Sequence, residues 1–144
     1  MNNFDKVEMV DVNKDFIQEA KNYLGEENVS RVQNFYISGL EEFAPEEKKY
    51  DCIWFQWVLG YLKDDDLIKL FKRCKKALKP NGICVMKDNI AKSVVEFDKA
   101  DNCYTRPRQS FLDIIHKANM CIISDDRQLK FPPELYEVRL IAFK

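Results

Sequence analysis

Hydrophobic and polar positions along the chain switch repeatedly between a period of two and a period near four, which predicts an alternation of strands and helices. Residues 7–11 (VEMVD) form a short apolar run ending in a carboxylate, as a strand would. Asn13 stands where a helix cap is needed, and Phe16, Ile17, Ala20, Tyr23 and Leu24 share one helical face before Gly25, where the helix is expected to stop. Residues 32–37 (VQNFYI) read as a weaker strand, followed by Ser38-Gly39 and an acidic turn through Glu41, Glu42, Pro45, Glu46 and Glu47. The most apolar stretch is 51–62 (DCIWFQWVLGYL). Its first five residues have the continuous character of a strand covered on both faces, with Trp54 as a core aromatic. Gly60 and Tyr61 then break the run.

Residues 64–79 carry the clearest helical pattern: three aspartates at the start, Leu67, Phe71, Cys74 and Leu78 at helical spacing, and lysines at the end. Pro80-Asn-Gly82 stops that helix, and 83–87 is another apolar strand running into Asp88-Asn89. Residues 90–105 show no sustained period and read as a functional loop. A helix is expected over 106–118 with Phe111, Leu112, Ile115 and Ala118 inward, then strands over 120–124 and 135–143 linked through Pro132-Pro133. In the last strand Tyr136, Val138, Leu140 and Ala142 alternate with Glu137, Arg139 and Ile141, which predicts one better buried face. The element order implies an α/β fold with a mostly parallel sheet and an antiparallel final pair, in one domain over 1–144.

Composition narrows the function classes. A net charge of -1 and a pI near 5.9 leave no basic footprint for a nucleic-acid backbone, and no 18-residue apolar run suggests a membrane span. Five scattered cysteines and one histidine, His116 in a predicted helix, lack metal-ligand spacing and exclude a histidine-based triad as the default. The thiols are expected to be reduced and mostly packed.

Candidate chemistry gathers at strand ends. Asp11, Gln56, Trp57 and Asn89 all fall at or just beyond predicted carboxyl ends, the edge where open α/β sheets bind ligands. A carboxylate after an early strand suits the two hydroxyls of a ribose, a device that dehydrogenases and methyltransferases share.

Several pieces together carry a family resemblance: Met9-Val-Asp11, Gly39-Leu40, Tyr50-Asp51, Ile53-Trp54, Gln56-Trp57-Val58, Arg73-Cys74-Lys75, Pro80-Asn-Gly-Ile83, Lys87-Asp-Asn89, Asp98, Asp101 and Tyr136. The chain resembles the protein α-N-terminal methyltransferases, which move methyl from S-adenosylmethionine to the amino group of proteins beginning Xaa-Pro-Lys. The resemblance implies a Rossmann-like class I methyltransferase sheet that is incomplete here, without the first strand and its glycine-rich loop, so that the chain corresponds to the carboxyl-terminal two thirds of the domain. It further implies that Asp11, with Val12 and Asn13 beside it, holds the ribose, that Leu40 and Glu41 border the adenine, and that Gln56 contacts the cofactor near its amino-acid part. On the substrate side it points to Trp57, Asn89, Asp98, Asp101, Cys103, Leu135 and Tyr136, with Asp101 as base and Asn89 and Tyr61 at the reacting amine. Tyr61 stands where the family usually has histidine, Cys103 where a small polar residue is usual, and Glu41 where glutamine is familiar. Nuclear and cytoplasmic residence is implied by resemblance alone. The alternatives are a non-catalytic relative or partner subunit that binds such amino termini, and an unrelated nucleotide-dependent enzyme.

Overall fold

A computed structural model describes residues 4–132 and 134–144; Met1 and Pro133 lie outside the described residues. The chain divides into two compact units, one ending at Phe43 and one spanning Ala44–Lys144.

In the first unit, β1 (Val7–Asp11) pairs in parallel with β2 (Val32–Ile37), and α1 (Lys14–Val29) makes the crossover. Asn13 caps α1 by accepting the Asp15 and Phe16 N–H groups at 2.8 and 3.4 Å. The first stretch of helix ends before Gly25, as expected: Gly25 takes a non-helical conformation (φ 71°, ψ 163°) that glycine adopts readily, and a second short helical stretch runs on from the kink to Val29. Ile17 is buried, whereas Phe16 and Tyr23, expected on the same inward face, are exposed.

In the second unit, β3 (Tyr50–Gln56) leads through a 3₁₀ turn, Leu59–Tyr61, to α2 (Asp64–Ala77) and then the long β4 (Leu78–Ala91). The hairpin of β5 (Glu96–Asp98) and β6 (Cys103–Pro107) follows, then α3 (Arg108–Lys117), β7 (Ile122–Arg127) and β8 (Glu137–Phe143). β4 is the hub: it pairs in parallel with β3 and, at its far end, with β6, and antiparallel with β8, which in turn pairs antiparallel with β7. This is the α/β sheet with a parallel body and an antiparallel end that the pattern predicts.

The apolar face of α2 supplies much of this unit's core. Leu67, Leu70, Phe71, Cys74 and Ala77 are all buried, and Phe71 packs between Phe55 and Phe143 at ring separations of 5.7 and 4.9 Å. Asp64, Asp65 and Asp66 in the first turn and Lys75 and Lys76 in the last match the helix dipole. The helix ends at Ala77, and Leu78, read from its spacing as the last inward helical residue, is the first residue of β4. Cys74 and Cys84 are buried and free, with the Cys84 thiol hydrogen-bonded to Cys74, while Cys121 is exposed.

Further expectations change. Residues 90–105 are not a loop but mostly the end of β4 and the β5–β6 hairpin, whose turn is completed by Asn102 at φ 51°. Trp54 is half exposed rather than a core aromatic, because among the β3 residues only Phe55 is buried. α3 begins after Arg106, which belongs to β6, and Ile114 takes the buried position expected of Leu112. β8 buries Val138, Ile141 and Phe143, so both of its faces contribute to the core, as befits a strand lying between β4 and β7.

The 3₁₀ turn lies hard against β6. A Cβ at Gly60 would come within 2.5 Å of the Cys103 Sγ and 2.9 Å of the Tyr104 carbonyl oxygen. Gly60→Ala is therefore expected to push the turn off β6 and destabilise the protein by about 1–3 kcal/mol, read as a lower urea midpoint with an unchanged m value.

Candidate active site

The residues expected on the cofactor side fall in both units. In the first, Asp11 closes β1, and its Oδ1 accepts the Asn13 N–H at 2.7 Å while its backbone oxygen accepts the Ser38 N–H at 3.0 Å. The carboxylate is thus held in a local turn at the strand end. Asn13 spends its side-chain oxygen on the α1 cap, Val12 is exposed, and Leu40 and Glu41 lie in the turn after β2.

Gln56 ends β3 in the second unit, and its side-chain oxygen accepts the Trp54 indole N–H at 3.2 Å. Trp57 follows with a left-handed φ of 52°, a strained conformation for a bulky residue. Its backbone N–H still donates to the Lys87 carbonyl at 3.1 Å, and the Lys87 ammonium lies 4.8 Å from the centre of its ring. The strand end therefore presents a half-exposed indole with a cation against it.

Around the 3₁₀ turn, Tyr61 and Cys103 both lie within reach of the charges of Asp88 and Asp101. Burial first, and then the charges of Cys103, Asp101 and Asp88, push the Tyr61 hydroxyl above its ordinary range. Burial, followed by Asp88 and Asp101, does the same to the Cys103 thiol, with Arg106 opposing. Neither group is suited to act as a base near neutral pH; a tyrosine already needs a pH near 10 to ionise. Asp98 accepts the Ala100 and Asp101 N–H groups at 2.8 and 3.5 Å, shaping the turn that carries Asp101, which is exposed. Asn89 lies inside β4, opposite Val138 of β8, rather than beyond the strand's end. Tyr136 donates to Glu96 Oε2 at 2.6 Å, and Leu135 beside it is exposed.

Three further residues shape this region, and the sequence pattern did not single them out. Glu96 meets Tyr136, as above. Arg106 is 1% exposed and donates to Asp64 Oδ1 at 2.9 Å and to the Leu59 and Leu62 carbonyls at 3.3 and 2.6 Å, which fastens the turn from below. Asp88 is 8% exposed; burial raises its pKa to about 6, against the Asn89 and Leu59 N–H groups and Arg106, which lower it. A folded state that keeps this proton longer than the unfolded chain is stabilised below the ordinary carboxylate range and loses that contribution as pH rises through about 6. Of the three, only Glu96, between Val95 and Phe97, is a charge among apolar neighbours; Asp88 lies between Lys87 and Asn89 and Arg106 between Thr105 and Pro107, where a charge carries no local signal.

No group of His, Cys, Asp and Glu among the described residues is arranged to hold a metal ion, and no described helix is long and apolar enough to cross a membrane. Known proteins match the chain throughout. It is 44% identical over 141 residues to N-terminal Xaa-Pro-Lys N-methyltransferase 1 of Xenopus tropicalis and 43% identical to that of Homo sapiens. The alignments cover 98% of this chain but only 62% and 63% of those relatives. Among solved structures, a SAM-dependent methyltransferase from Leishmania major superposes with a TM-score of 0.91 at 28% identity, over 97% of this chain and 55% of that one. The glycopeptide N-methyltransferase MtfA, complexed with S-adenosylmethionine, shares the fold at a TM-score of 0.77 and 10% identity, over 96% of this chain and 72% of that one. The sequence model of the AdoMet dependent proline di-methyltransferases matches residues 1–144, and the chain belongs to that family.

Proposed function

We propose that the protein containing this chain is an α-N-terminal protein methyltransferase that uses S-adenosylmethionine and acts on proteins beginning Xaa-Pro-Lys. The observation that carries the reading is the family match across all of residues 1–144, including every candidate position above. Asp11 suits the ribose: its carboxylate is oriented by the Asn13 N–H at the end of a parallel strand, and carboxylates accept hydroxyl donors. Val12, Asn13, Leu40 and Glu41 would border the nucleoside, and Gln56 the amino-acid part. When bound, the cofactor supplies an electrophilic methyl group on a sulfonium.

The chain's own residues prepare the amine. A peptide amino terminus has a pKa near 8, so a modest pull removes its proton. Asp101 accepts that proton, Asn89 orients the amine by hydrogen bonding, and Tyr61 offers a hydroxyl without acting as base. Asp98, Cys103, Leu135 and Tyr136 flank the following residues, where a carboxylate attracts the lysine, and Trp57 packs on the first two. We place the protein in nucleus and cytoplasm, where such amino termini are exposed, a reading that fractionation of the source cells tests.

Incubating the protein, at its native length, with the cofactor and an Xaa-Pro-Lys peptide should add methyl to the peptide's α-amine and none to the same peptide with an acetylated amino terminus. Peptide binding without methylation would replace this reading with that of a non-catalytic partner subunit. A companion expectation concerns Asp11→Ala. Loss of its hydrogen bonds to the ribose should weaken cofactor affinity by about tenfold, measured by calorimetry; unchanged affinity would remove Asp11 from the cofactor site.

A further inference from the structure

Asp88 differs from the other acids of the site in being buried and only half satisfied. Its Oδ1 accepts the Asn89 N–H at 2.8 Å, and the Leu59 N–H also bonds to the carboxyl, but Oδ2 is buried without a hydrogen-bond partner among the described residues. An orphaned buried oxygen is costly, and nothing about strand pairing requires an acid here. What the carboxyl does accomplish is to tie two site elements together: β4, which carries Asn89, and the 3₁₀ turn, which carries Tyr61.

The surrounding charges leave it in that role. Arg106 on β6 faces it, but its donors go to Asp64 and to the Leu59 and Leu62 carbonyls. Arg139, its register neighbour on β8, donates to Asp125 and Glu137. From the turn and the hairpin come Tyr61 and Cys103, both of which feel the Asp88 charge and that of Asp101. Lys87, next in the strand, lies against Trp57.

Resting on the methyl-transfer reading above, we propose that Asp88 is a positioning residue for the amine-binding side of the site. As a carboxylate it holds Asn89 and the Tyr61 turn in the arrangement that receives the substrate amine, and protonation weakens both N–H bonds and loosens that arrangement. The site is then competent only above the pH at which Asp88 ionises, about 6.

Two readouts test this. In the native-length protein, log(kcat/KM) for an Xaa-Pro-Lys peptide should fall with a slope of about one per pH unit from substrate protonation, steepening towards about two below pH 6 as Asp88 protonates. Asp88→Asn keeps an acceptor at Oδ1 but cannot titrate, so kcat should drop about tenfold to a hundredfold and the steep limb should disappear. Asp88→Glu, which retains the charge at a displaced position, should lower kcat yet keep the steep limb. A steep limb that survives in Asp88→Asn overturns the proposal. Independently of turnover, ring-carbon NMR signals of Tyr61 should titrate near pH 6 in the wild type and lose that step in Asp88→Asn. Absence of the Tyr61 step in the wild type overturns the proposal while leaving the methyl-transfer reading intact. A Tyr61 step in a native protein that methylates no peptide overturns the methyl-transfer reading, and the positioning role with it.

Discussion

Asp101→Asn is expected to cut methylation of Xaa-Pro-Lys peptides by about a hundredfold to ten-thousandfold, the range that a positioned general base contributes. Affinity for S-adenosylmethionine should stay as in the wild type. The substitution keeps shape and the backbone bond to Asp98, and removes only the basic carboxylate from the hairpin turn. The other groups nearby cannot take over its role. Burial holds the Tyr61 hydroxyl and the Cys103 thiol in their protonated forms, and Asp98 is occupied in shaping the turn. Asp88 is buried, with its Oδ1 already accepting the Asn89 N–H. Single-turnover methylation by mass spectrometry, with cofactor binding measured separately, checks the expectation. Unchanged turnover would remove Asp101 from the mechanism, and a raised KM at constant kcat would make it a binding group for the cationic peptide rather than a proton acceptor.

How far the sequence revealed the fold depended on whether a residue's environment is set by its neighbours in the chain or by distant strands. α2 was legible because its acidic start, apolar stripe and basic end are all local signals, and the structure buries Leu67, Phe71 and Cys74 as that stripe requires. The strand ends bearing Asp11 and Gln56 were legible for the same reason. The β5–β6 hairpin was not. β5 has only three residues, all exposed, and its turn lacks the Asn-Gly or Asp-Gly pair that marks tight hairpins, so its pattern resembled a loop. Phe16, Tyr23 and Trp54 occupy apolar positions yet are exposed, because periodicity identifies a face without identifying what covers it. Asp88 and Arg106 escaped notice for a related reason. Asp88 sat between Lys87 and Asn89 in what looked like a solvated strand end, and it is buried because β4 continues past it, paired with β8. The acceptors of Arg106 lie more than forty residues upstream, at separations of 42, 47 and 44, and no local pattern connects them.

Arg106→Met should be the most destabilising single change in this region, by about 3–5 kcal/mol, the cost of leaving two buried carbonyls without their charged donor. The size of the effect comes from the carbonyls more than from the ion pair. Asp64 is exposed, so its carboxylate is resolvated when the guanidinium goes, and Asp64→Ala alone should cost no more than about 1 kcal/mol. Leu59 and Leu62 are buried, and without Arg106 their carbonyls lose a charged donor with no water to replace it. Methionine fills much of the apolar volume but supplies no N–H. Arg106→Lys should fall between the two, because a single ammonium on a flexible stem cannot serve three acceptors held by the planar fork. Urea unfolding of the three variants separates these contributions. An Arg106→Met loss no larger than that of Asp64→Ala would mean that the turn is held by the ion pair alone. The expected gap between them would make carbonyl capture by Arg106 the force that keeps the Tyr61 turn against β6, and so in reach of Asp88 and Asp101.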